Sequence, residues 1–219
     1  VGKSCQPRRP WIKEPFNGLS HLAGIVLAIA GLVVLLVLAD GRPWHTVAVS
    51  VYGGSLVLLY LASTLVHSVH CTPQTEARLE RFDFAAIFLV IAGTYTPICL
   101  LVLGDAWGWT LLSIEWVLAL VGIALAIRGS AQHKALRTGI YVAMGWLVVI
   151  AIVPLLGKMP AGTFAWLIAG GVVYTLGAIV FLTDRPKLWK SPHAAHGLWH
   201  LLVLAGSACH WISVLHVVR

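Results

Sequence analysis

The sequence predicts an all-α polytopic membrane protein: a bundle of seven transmembrane helices, N-terminus cytoplasmic and C-terminus outside. Three observations predict it. Of 219 residues, 59% are hydrophobic and only 11% charged, where soluble domains carry roughly a quarter charged. The apolar residues gather into seven runs, each long enough to cross ~30 Å of hydrocarbon at about 1.5 Å per residue. Lysine and arginine concentrate in alternate connections, which sets the orientation. A membrane β-barrel would instead show short segments of alternating polarity.

The elements follow in order. Residues 1–15 form a short basic segment with Lys3, Arg8, Arg9 and Lys13, and 1–219 reads as one domain. The first apolar run, roughly 19–39, is too long for a signal-peptide core and no A-x-A site follows it, so it is expected to be retained. The second, 46–67, comes after an Asp40-Gly-Arg-Pro turn. The third, 84–103, contains Pro97, which predicts a kink. A Gly104-Asp105 turn leads to the fourth, 107–127. The fifth is 139–156, the sixth 164–183 and the seventh 196–217. Gly53, Gly54, Gly170, Gly171 and Gly177 suit close helix approach.

Twelve cations fall on one side: the four N-terminal ones, Arg78 and Arg81, then Arg128, Lys134 and Arg137, then Arg185, Lys187 and Lys190. Only Arg42, Lys158 and Arg219 fall on the other. The net charge of +7 thus reflects topology, not nucleic-acid binding. Seven spans in this sense run opposite to a G-protein-coupled receptor and argue against rhodopsin-like signalling. Cys5, Cys71, Cys99 and Cys209 form no C-x-x-C pattern and imply no disulfide framework.

With orientation fixed, the intramembrane polar residues sort by depth. Ser63 and His67 lie one turn apart near the inner end of the second span, and Asp83 opens the third at the same level. His196 and His200, again four apart on one face, open the seventh. Ionisable groups in spans are costly and face the bundle interior. Such a histidine pair is either a metal clamp or a polar helix entrance. As a clamp, three imidazoles (His67, His196, His200) suit zinc and leave a fourth, open position for water. Zinc would lower that water's pKa to about 7, Asp83 would act as general base, and Ser63 would hydrogen-bond the water or a substrate carbonyl. Iron, manganese or cobalt also accept such ligands. The competing readings are that Asp83 caps the third span and that Ser63 merely packs between helices.

Other polar residues are expected to stay outside this layer. His21 reads as a headgroup contact sooner than a second-layer group, His70 and His193 as solvated, and His210 and His216 as too far along the seventh span. Glu115 sits mid-span, where an acid is expensive, and its sequence context assigns it no role. Trp44, Trp107, Trp109 and Trp199 fit an interfacial aromatic belt.

Several stretches together resemble the bacterial hemolysin III family of the progestin and adiponectin receptor superfamily. They are Glu14-Pro-Phe-Asn17-Gly-Leu-Ser20-His21, Ser63-Thr-Leu-Val-His67, Phe82-Asp83 through Pro97, and His196-Gly-Leu-Trp-His200. The resemblance runs from Glu14 to about Val217. It implies a seven-helix bundle in the bacterial plasma membrane with zinc near the cytoplasmic side, held by His67, His196 and His200. It places Asp83 and Ser63 beside the zinc-bound water and gives Glu14, Asn17 and His21 a structural role. It further implies hydrolysis of a lipid acyl amide or ester in membrane-fluidity homeostasis, with a membrane lipid as substrate or ligand. The receptors' long N-terminal region has no counterpart in these residues, so no protein-hormone partner is expected. A non-enzymatic sensor with structural zinc is the alternative. A pore-forming hemolysin is third, because no span shows the polar stripe of a wide channel.

Overall fold

The computed structural model describes residues 11–129, 133–186 and 194–219. The expectations for Lys3, Cys5, Arg8, Arg9, Lys187, Lys190 and His193 lie outside the described residues. Seven helical spans long and apolar enough to cross a membrane are present: Pro15–Ala39, Pro43–Ser68, Pro73–Leu103, Ala106–Ile127, Lys134–Lys158, Ala161–Thr183 and Ala194–Val218. Each expected run falls inside one of them.

Local chemistry sets their ends. The first three spans open on proline, whose missing N–H costs nothing in a first helical turn. Thr72 caps the third span, its hydroxyl oxygen accepting from the Thr75 N–H at 3.3 Å. Asp105 caps the fourth by accepting from the N–H groups of Trp107 and Gly108, and Gly129 ends that span at φ 73°, which a glycine adopts without strain. At the Asp105 end of the bundle the Arg42 guanidinium donates to the carbonyls of Leu38, Ala39 and Val218. It thereby ties the last turns of the first and seventh spans together.

Two spans depart from plain α-helix. Past Pro97, Ile98–Leu103 wind as a π-helix, so proline marks a change of winding in the third span. The fifth span is α-helical over Lys134–Trp146, 3₁₀ over Leu147–Ala151 and α-helical again over Ile152–Lys158. Pro154 offers no N–H to the Ile150 carbonyl. The Tyr95 hydroxyl services the break: it faces the carbonyls of Met144 and Gly145 at 2.9 and 3.0 Å and accepts from the Val148 N–H at 2.7 Å.

The spans pack largely in sequence order, first to fourth, then sixth on seventh and seventh back on first. The fifth closes the ring against the third and sixth. Between the second, third, fifth, sixth and seventh spans lies a mainly apolar cavity of about 1130 Å³, part of it open to the exterior. Two expectations are corrected here. The third span begins at Pro73, and its cap is Thr72, so Asp83 is a buried mid-helix residue and not a cap. Arg137 is buried inside the fifth span, its guanidinium over the Phe84 ring. Without it the charge bias is eleven to three (12 − 1 against 3).

Candidate metal centre

The centre forms where the first span's opening turn is stapled to the second span's end. The Glu14 N–H donates to the His67 carbonyl at 2.8 Å and the Lys13 N–H to the Ser68 carbonyl at 3.3 Å. Lys13 also pairs with Glu76 at the start of the third span. This places the Glu14 carboxylate 2.8 Å from Nδ1 of His67, and the same oxygen accepts from the Asn17 amide at 2.6 Å. A carboxylate only accepts, so the imidazole proton sits on Nδ1 and Nε2 of His67 presents a lone pair. The seventh span approaches because residue 197 is glycine: a Cβ there would come within 2.8 Å of the Phe16 ring.

His196 Nε2 lies 3.3 Å from His67 Nε2. His200 is fully buried, with Nδ1 3.5 Å from the Ser20 hydroxyl, which itself donates to the Asn17 carbonyl at 2.9 Å. His200 Nε2 has no hydrogen-bond partner. Ligand nitrogens of His67, His196 and His200 all lie within 4.8 Å of one another. Among the described residues, a buried, unpartnered imidazole nitrogen facing two others is what a cation would satisfy. The donor set fits zinc, and Glu14 behind His67 supplies the outer carboxylate that orients such a ligand.

Ser63 and Asp83 are buried and line the cavity at this end, together with His21 and Trp199. The three histidines of the expected layer converge, and Ser63 and Asp83 lie on the cavity wall. Tyr141 donates to the Phe84 carbonyl at 2.9 Å, fixing the fifth span against the turn that carries Asp83.

Some residues take other places than expected. His21 is buried, not at headgroups, and stacks on His200 with ring centroids 3.8 Å apart. Trp199 is half-buried and packs against His196, His200 and Phe181. Trp44, Trp107 and Trp109 are exposed at the opposite end, as a belt requires. Glu115 is fully buried away from the centre, and among the described residues neither carboxyl oxygen has a hydrogen-bond partner. Sequence reasoning missed the working part of Glu14. The signal was available, since Glu14, Asn17, Gly18 and His21 fall on one helical face.

Comparison with known proteins adds a family. The pattern described as "Haemolysin-III related" matches residues 9–211. The chain is 42% identical over 211 residues to "Hemolysin-3" of Bacillus cereus, covering 95% of this chain and 93% of that protein. It is 40% identical over 207 residues to "Hemolysin-3 homolog" of Bacillus subtilis, covering 93% and 94%. A more distant likeness, 26% over 206 residues and covering 90% and 81%, is to human "Monocyte to macrophage differentiation factor".

Proposed function

The chain belongs to the haemolysin-III related family, and we propose that it is a zinc-dependent intramembrane hydrolase of a lipid acyl amide or ester. The observation that carries this reading is the mainly apolar cavity, whose wall includes Asp83, Ser63 (one turn before His67 in the second span) and His21, which stacks on His200. A purely structural cation would need no such cavity. His67, His196 and His200 would hold the ion, with Glu14 and Ser20 orienting two of the rings. Bound there, zinc supplies Lewis acidity, which polarises a carbonyl and acidifies water.

The remaining work falls to side chains. The cavity's apolar wall holds the acyl chain and keeps bulk water away from the scissile bond. Ser63 donates to the carbonyl oxygen. As water oxygen bonds to the carbonyl carbon, the Asp83 carboxylate takes its proton and returns it to the departing nitrogen or oxygen when the C–N or C–O bond breaks. We place the site at the cytoplasmic face of a bacterial plasma membrane, on the eleven-to-three charge bias, in membrane-lipid homeostasis. A reporter active only in the cytoplasm checks this sidedness when fused at residue 219, where it should be silent.

The test of the chemistry is Asp83→Asn in the purified chain. It should keep its metal yet lose about 10²–10⁴-fold in turnover of acyl lipids. Unchanged turnover would remove Asp83 from the reaction. Wild type holding zinc but hydrolysing nothing in a broad lipid extract would favour a sensor with a structural cation.

A further inference from the structure

The main cavity adjoins a second chamber that hydrolysis itself does not use. The chamber has a volume of about 390 Å³, part of it open to the exterior. Thr94, Tyr95, Gly145, Trp146, Gly171 and His210 wall both spaces, so the two meet at a neck between the third, fifth, sixth and seventh spans. Beyond the neck the wall is apolar, formed by Ile98, Val148, Leu167 and Ile168.

The neck owes its width to missing side chains. Among the described residues, a Cβ at Gly145 would meet nothing within 4 Å, and one at Gly171 would meet only the Trp146 ring edge, at 3.8 Å. Gly171 is half-buried, so its empty side-chain position faces free space. The larger wall groups are fastened away from that space. Trp146 donates its indole N–H to Thr175 at 2.9 Å, and Thr175 donates to the Gly171 carbonyl at 2.7 Å. The Thr94 hydroxyl donates to the Val90 carbonyl, and the Tyr95 hydroxyl is committed to the broken fifth span. With these polar groups satisfied inside the protein, the neck offers a passing ligand little to hydrogen-bond. An alkyl chain suits such a passage.

Resting on the lipid reading of the cavity, we propose that this neck is a chain-length ruler, through which the methyl end of a long acyl chain passes Gly171 into the second chamber. Depth sets the length. Along the third span, Thr94 and Ile98 stand about 16 and 22 Å beyond Asp83, at about 1.5 Å per residue. An extended alkyl chain advances about 1.25 Å per carbon, given C–C bonds of about 1.5 Å. A chain whose carbonyl lies at Asp83 and Ser63 therefore meets the neck at about carbon 13 and the far wall at about carbon 18. The substrate class is a long-chain acyl lipid of about 16–18 carbons, and Gly171 is the residue that admits it.

The experiment is displacement of a fluorescent fatty acid from the full-length chain in detergent, by lauric acid, which ends before the neck, and by stearic acid, which passes it. Each affinity is taken as a ratio of variant to wild type, which cancels the acid's own partition into micelles. Because binding is measured, turnover is not needed. Gly171→Leu should weaken stearic acid at least tenfold, since each buried methylene is worth about fourfold, and leave lauric acid within about twofold. Gly171→Ala should change neither, because its Cβ fits at ordinary contact distance. Ile168→Phe fills the second chamber from beyond the neck and should repeat the selective loss of stearic acid; it decides the matter alone if Gly171→Leu does not fold. Equal loss of both acids, or loss of neither, overturns the ruler and leaves the lipid reading standing. Failure of either acid to bind wild type at all overturns this proposal together with the lipid reading.

Discussion

The histidine end of the bundle and the middle of its fourth span both hide ionisable side chains in the membrane, and they differ in company. His67, His196 and His200 arrive from two spans with their nitrogens converged, and Glu14, Asn17 and Ser20 stand behind them. Glu115 is as deeply buried, yet among the described residues no hydrogen-bond partner meets either of its oxygens. Burial alone therefore does not make a site. What separates the two regions is convergence of donors and an outer layer that fixes their orientation. A cation would satisfy the unpartnered nitrogen in the first region; in the second, an isolated buried carboxyl costs stability.

Breaking the outer layer should give the largest contrast. Glu14→Gln should lower metal affinity about 10–100-fold, because an amide can donate as well as accept and no longer enforces the His67 proton on Nδ1. Chelator competition on the purified protein reads this, and unchanged affinity would strip Glu14 of its orienting role. Removing the isolated acid should do the reverse. Glu115→Leu should leave metal content unchanged and raise unfolding stability by about 1–3 kcal/mol, the cost of an unsatisfied buried polar group. Denaturation in detergent that shows a loss instead would mean Glu115 has a partner or function there.

The smallest effect lies at an exposed pair, where neither region is touched. A hydrogen bond from Lys158 at 2.6 Å, with help from the Gly108 and Trp107 N–H groups, holds the Asp105 carboxyl below its usual range. A depressed folded value means the stabilisation is present above the ordinary aspartate range of about 4 and fades as pH falls below it towards the folded value. Stability should therefore be flat in this respect near neutrality and drop in acid, with Asp105→Asn flattening that limb. Being exposed, the pair should contribute little, and metal content should not follow it.

Much of this contrast was legible in the sequence, and the part that was not has identifiable physical causes. Apolar length gives the number of spans and charge asymmetry gives depth, so the sequence alone assigns His67, Asp83, His196 and His200 to one layer. Neither signal gives rotation about a helix axis. The first and seventh spans are apolar nearly all round, leaving no amphipathic stripe to point with. Hence His21 and Trp199, whose faces turn inwards onto His200, read as boundary residues. Arg137 was misplaced for a related reason: a cation near a span end looks like a loop cation until the Phe84 ring beneath it is seen. The third span's early start was hidden by Glu76, Arg78, Glu80 and Arg81, whose charges resemble a loop but lie in helical turns opened by Thr72 and Pro73. The 3₁₀ break over Leu147–Ala151 depends on Tyr95 reaching across from another span, a contact invisible to local sequence.

The central claim is that three imidazoles hold one cation. Elemental analysis of the purified chain and of His200→Ala, prepared side by side without added chelator, tests it most directly. Wild type should carry about one zinc per chain and the variant almost none, because two remaining protein ligands fall short of the three a catalytic zinc site uses. Equal zinc in the two proteins would contradict the assignment.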